Sequence, residues 1–120
     1  MPPDRLFVPL SGAPWRWFAS GAKLWELRRL GGRWSEKQLR PGRRVELRRG
    51  YSTPDSLWGT VAEVVRADGI SAFFDAVPHG LVICAPGLGR AEAEAAAAAI
   101  LGIAPAGVPV IGFRVELEAA

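Results

Sequence analysis

The sequence predicts an α+β domain: a small antiparallel or mixed sheet, curled towards a barrel, with helices at its periphery. Three observations lead there. Apolar and polar residues alternate over 43–49 and 110–118, the period of a half-buried strand. An alanine-rich stretch at 90–101 is the clearest helix. The order of segments is strand, helix, three strands, two helices, strand, which lacks the βαβ rhythm of a parallel sheet.

The first element is Leu6-Phe7-Val8-Pro9-Leu10, a short apolar run closed by Ser11-Gly12. Its proline marks an edge strand, because proline donates nothing to a ladder. Residues 13–20 make a short helix, with Pro14 suited to the first turn and Gly21 to the stop. A strand over 23–30 places Trp25, Leu27 and Arg29 on one face and Leu24, Glu26 and Arg28 on the other. Trp25 is assigned to the core. Gly31-Gly32 breaks this strand, and 33–42 is a polar connection ending in the turn signal Arg40-Pro41-Gly42.

In 43–49, Val45 and Leu47 point one way and Arg44, Glu46 and Arg48 the other. The stretch 57–67 is rich in β-formers but alternates poorly, and Gly59 is the expected bend or bulge. A short helix at 70–77 stops near Pro78-His79-Gly80. In the helix at 90–101, Glu92 and Glu94 lie near the positive end and Gly102 past the last turn. Over 110–118, Ile111, Phe113, Val115 and Leu117 are expected inward, and Gly112, Arg114, Glu116 and Glu118 outward.

A chain of 120 residues is read as one domain, 1–120, able to bury ~65% of its unfolded surface. Its one cysteine, Cys84, sits in an apolar run and excludes an internal disulfide; a reduced, buried thiol suits a cytoplasmic protein. Met1-Pro2-Pro3-Asp4-Arg5 has no apolar signal-peptide core, and no stretch approaches a membrane span, so a soluble, cytoplasmic chain is expected.

The net charge is +3, but it is unevenly spread. Residues 16–49 carry eleven basic and three acidic side chains, whereas 50–120 carry three basic and eight acidic ones. Such clustering argues for a basic face able to hold phosphates. Thirteen of the fifteen cations are arginine. Phosphate recognition and genome composition or heat adaptation explain that choice equally well.

The richest string is Gly21-Ala22-Lys23-Leu24-Trp25-Glu26-Leu27-Arg28, a Gly-x-Lys-x-x-Glu-x-Arg run after an aromatic segment. Gly21 permits a turn or a close backbone approach. Glu26 and Arg28 project from one strand face, with Lys23 at the strand's mouth. A carboxylate flanked by two cations can orient a base or ribose while the cations hold phosphate. Spacing alone favours a plainer account, a solvated Lys–Glu–Arg ladder on an exposed strand.

The run nevertheless resembles the signature of the ASCH family, the activating-signal cointegrator homology domains. Three further segments are similar to that family: 40–47 with its proline-glycine lead into a strand, the glycine-containing strand 57–64, and the closing strand 111–115. Together they span nearly the whole chain. The resemblance implies a PUA-like fold, a small β-barrel related to RNA-binding domains, with Lys23, Glu26 and Arg28 lining a cleft. It implies RNA or a nucleotide-like molecule as the ligand. It also opens an enzymatic alternative, because one branch deacetylates N4-acetylcytidine nucleosides with a lysine, a threonine three positions later and a downstream glutamate. Another branch is reported to cut RNA. Here Glu26 replaces that threonine, and Asp75, Glu92 and Glu94 are the candidates for the downstream carboxylate. Catalysis is therefore left open, with Lys23 and Glu26 as candidates.

Trp15 and Trp17 lie near the expected cleft, and Trp17 is taken as the base-stacking candidate. Tyr51-Ser52-Thr53 offers hydroxyls beside Arg48 and Arg49, so Tyr51 joins the ligand-binding set, although a simple loop is the plainer account. Arg29, Arg44, Arg48 and Arg49 are further phosphate candidates. His79 is expected in a turn, and Gly87-Leu88-Gly89-Arg90 is a helix lead-in lacking the lysine of a Walker loop. A Cys–His nucleophile at Cys84 is not expected. No metal site or cofactor is indicated. A module for protein interaction through the acidic second half is the remaining alternative.

Overall fold

The computed structural model describes residues 5–119. The strands are β1 (Arg5–Leu10), β2 (Trp25–Arg29), β3 (Arg44–Arg49), β4 (Ser56–Ala67) and β5 (Val110–Leu117). The helices are α1 (Gly12–Ala19), α2 (Ile70–Ala76) and α3 (Arg90–Leu101), with a 3₁₀ turn at His79–Leu81. The strands form one mixed sheet in the order β1-β3-β4-β5-β2, curled into a half-barrel. Only β1 and β3 run parallel; the other pairs are antiparallel.

Pro9 lies in β1, at the sheet's edge, where its missing N–H costs no ladder bond. The two edge strands, β1 and β2, are brought together by side chains. Arg28 donates from Nη2 to the Pro9 carbonyl at 2.8 Å, and Arg33 donates to the Phe7 carbonyl. Edge carbonyls that would otherwise need water thus receive guanidinium donors.

The curl gives the sheet two buried faces. The inner face packs Leu6, Val8, Val45, Leu47, Ile111 and Phe113 around Phe18 of α1. On the outer face, α2 and α3 cover β2 and β5, burying Trp25, Leu27 and Val110 against Phe73. Two expectations for β5 are corrected. Gly112 does not point to solvent: a Cβ there would come within 2.2 Å of the Phe73 ring. Leu117, expected inward, is exposed at the strand's end, beyond the inner core.

Gly59 is not the bulge. The β4–β5 register shifts between Val61 and Glu63, where a side chain is tolerated. Gly59 instead permits close strand approach, since a Cβ would stand 2.6 Å from the Glu116 carbonyl oxygen. The connection 33–42 is not uniformly polar in role, for Leu39 is fully buried in the inner core. Helix α3 has the limits expected, with the Glu92 carboxylate accepting the Gly89 N–H at 2.9 Å and Gly102 left-handed at φ 66°.

Candidate functional site

Strand parity places the key side chains. Glu26 pairs across β5 with Phe113, and Arg28 with Ile111, so both side chains share the inner face with that core. Lys23 precedes the strand; its N–H donates to the Trp17 carbonyl, and its side chain donates to the Val82 carbonyl. Lys23 Nζ lies 3.4 Å from Glu26 Oε1, and Arg28 Nε donates to Glu26 Oε2 at 2.7 Å. One carboxylate therefore joins two cations. Lys23 is 3% exposed and Glu26 8%, so the solvated ladder that spacing favoured does not occur.

This cluster borders a cavity of about 300 Å³ between the two sheet edges. Ser11, Pro14 and Trp17 of the α1 region form one wall, and Ile83, Ile100 and Leu101 form another. The cavity thus has largely apolar walls and one charged side, the usual makeup of a small-molecule site. Trp34 braces the cluster from behind: the Arg28 guanidinium lies 4.5 Å from its ring centroid, and the ring stacks on Phe113.

Burial pushes the Lys23 amine below its ordinary 10.5, while the Glu26 charge and hydrogen bond oppose the shift. Neutral amine is consequently more accessible here than on a surface lysine. Cys84 lies near enough to feel Lys23; burial raises its thiol, and the Lys23 charge counters that. Contrary to the buried thiol expected, Cys84 is half-exposed and donates to the Gly80 carbonyl at 3.2 Å.

Of the sequence candidates, the fold gathers Lys23, Glu26, Arg28 and Trp17 at one cavity. Trp15 instead packs against the inner core and donates to the Leu47 carbonyl at 3.0 Å. Tyr51 is not part of the cavity wall; it lies on the outer face, its ring 5.8 Å from that of Phe7. Arg44 and Arg48 also lie there, Arg49 pairs with Asp55, and Arg29 is exposed at the far edge of β2. The three downstream carboxylates are engaged elsewhere: Asp75 and Glu94 with Arg90, and Glu92 with the α3 N-terminus. None of them borders the cavity. His79 sits in its turn against Phe74, as expected. Sequence reasoning missed the walls from Ile83 and α3, which carry no motif.

Among the described residues no His, Cys, Asp and Glu cluster could hold a metal ion, and no helix is long and apolar enough to cross a membrane.

The fold is similar to that of solved ASCH proteins. Among solved structures, the hypothetical protein PH0355 is similar, with a TM-score of 0.72 and 14% identity over 95% of this chain and 99% of that one. The ASCH protein of Zymomonas mobilis is similar at a TM-score of 0.62 and 10% identity, over 94% of this chain and 67% of that one. At these identities the likeness is one of fold. No model of a known family matches the sequence, and no curated protein matches it.

Proposed function

We propose that this domain binds RNA or a nucleotide-like ligand, with one nucleotide unit entering the cavity edged by Lys23, Glu26 and Arg28. The observation that carries this reading is the buried Lys–Glu–Arg cluster at one side of a largely apolar cavity. Such a cluster offers donors and one acceptor-rich carboxylate to the edge of a base or to ribose hydroxyls. Trp17 supplies a flat apolar wall for stacking. The volume suits a single base with its sugar, so a longer strand must continue outside. The resemblance of 21–28 to the ASCH signature points to the same ligand class.

The test is a titration of Trp fluorescence with nucleoside monophosphates and with short single-stranded RNA at two salt concentrations. Wild type should respond to both, and Trp17→Ala and Lys23→Met should weaken both. No response from wild type to the monophosphates would overturn the cavity reading, whatever the RNA does.

A second reading is hydrolysis of a modified nucleoside or of RNA, and the lowered proton affinity of Lys23 favours it. A neutral amine is what a general base requires. Incubation with N4-acetylcytidine and with RNA, followed by product analysis for wild type and Lys23→Met, decides it. Product formed equally by both proteins would exclude Lys23 as the base.

A further inference from the structure

The outer sheet face over β1, β3 and the first half of β4 carries no helix among the described residues, unlike the half covered by α2 and α3. Register places its side chains in rows. Arg5 lies beside Arg44, Phe7 beside Glu46, which is flanked on its other side by Trp58, and Pro9 beside Arg48. The result is an interleaved set of guanidiniums and rings. Arg48 lies 5.0 Å and Arg5 5.8 Å from the Phe7 centroid, and Arg44 lies 4.2 Å from that of Trp58. Tyr51, on the β3–β4 loop, leans on Phe7 and is 74% exposed.

Glu46 organises this face. It is 2% exposed, and it binds Arg5 at 3.1 Å, Arg48 at 2.6 Å and the Ser56 hydroxyl at 2.6 Å. Burial disfavours its charge, yet Ser56, Arg48 and Arg5 together hold its carboxyl below the ordinary value. Two guanidiniums are thereby pinned over one ring. Of the other carboxylates by this face, Asp55 and Glu118 lie in exposed pairs with Arg49 and Arg44, and Glu116, across from Thr60 on β5, pairs with Arg114. Such pairs are weak and exchange readily for phosphate.

We infer that this face is a second binding surface, for single-stranded RNA, separate from the cavity. Bases stack on the exposed Tyr51 ring and on the edges of Phe7 and Trp58, and Arg44, Arg48 and Arg5 meet the phosphates. Aromatic rings alternating with arginines on an uncovered sheet are what sequence-tolerant single-strand binding requires. Arg5, Arg44, Arg48 and Arg49 against Glu46, Asp55 and Glu118 leave a balance of +1 on this face, which favours a polyanion.

The experiment is fluorescence anisotropy with a labelled uridine decamer, comparing wild type with Tyr51→Ala/Arg44→Gln. Both side chains are exposed, Arg44 at 52%, so a thermal melt should confirm an intact fold. The double variant should bind the decamer at least about fivefold more weakly, with a salt slope lower by about one ion. Its response to uridine monophosphate should match wild type. Loss of decamer affinity when neither protein binds the monophosphate would still support this surface while refuting the cavity reading. Equal decamer affinity, equal loss for the monophosphate, or a self-association of wild type that excludes the decamer would overturn it.

Discussion

Replacing Glu26 with glutamine isolates the physics of the cluster. Lys23 and Glu26 are both nearly inaccessible to water, so the substitution leaves a buried ammonium facing Arg28 without a counter-charge. Removing one partner of a buried pair costs ~3–5 kcal/mol; the amide keeps an acceptor oxygen, so about 3 kcal/mol is expected at neutral pH. For a chain of this size that corresponds to a melting point lower by roughly 12 °C. Lys23 has one way to relieve the cost, which is to lose its proton.

Burial already holds the Lys23 amine below 10.5 and Glu26 opposes that shift, so the variant lowers it further. Above the variant's folded value the unfolded chain still binds a proton that the folded chain has released, and stability then rises with pH. The deficit relative to wild type should therefore be largest near neutral pH. It should narrow as the pH climbs from the variant's folded value towards that of wild type. Urea denaturation from pH 6.5 to 9.5 measures this. A deficit below about 1 kcal/mol at neutral pH, or one that widens as the pH rises, would refute the account of a buried, charge-compensated lysine.

Other perturbations follow from the same geometry. Arg28→Lys keeps the charge but loses the fork that reaches both Glu26 and the Pro9 carbonyl; a loss of about 1–2 kcal/mol in urea denaturation is expected. Gly112→Ala drives a methyl into the Phe73 ring and should cost about 1–3 kcal/mol, with Phe73→Leu in the same chain recovering part of it in thermal melts. Gly59→Ala meets the Glu116 backbone oxygen, which has no rotamer to yield, so no side-chain change should rescue it. Glu46 has a folded value below 4.5; its contribution is complete above that pH and is lost as the pH falls through the folded value. Glu46→Gln should flatten that part of the acid limb.

Much of the fold was legible because local rules coincided with the tertiary outcome. Pro9 marked an edge strand, and the edge is where β1 lies. The alanine run with Glu92 before it and Gly102 after it set α3 to its observed limits. Pleat parity placed Glu26 and Arg28 together on one face. Parity gives the side of a strand, however, and not what covers that side. The covering of Lys23 comes from Val82, fifty-nine residues away, through a carbonyl with no sequence pattern of its own. The same limit explains Gly59 and Gly112. Each is glycine because another chain segment passes close by, which composition does not reveal. Tyr51 illustrates the converse, since adjacency to Arg48 and Arg49 suggested the cleft and the loop carried it to the outer face.

The most direct measurement of the central claim is an amide shift map of the ¹⁵N-labelled protein titrated with a nucleoside monophosphate. The account predicts saturable shifts at Ser11, Trp17, Lys23, Glu26, Arg28 and Ile83, the residues around the cavity. Shifts confined to residues away from that cavity, or none at saturating ligand, would contradict it.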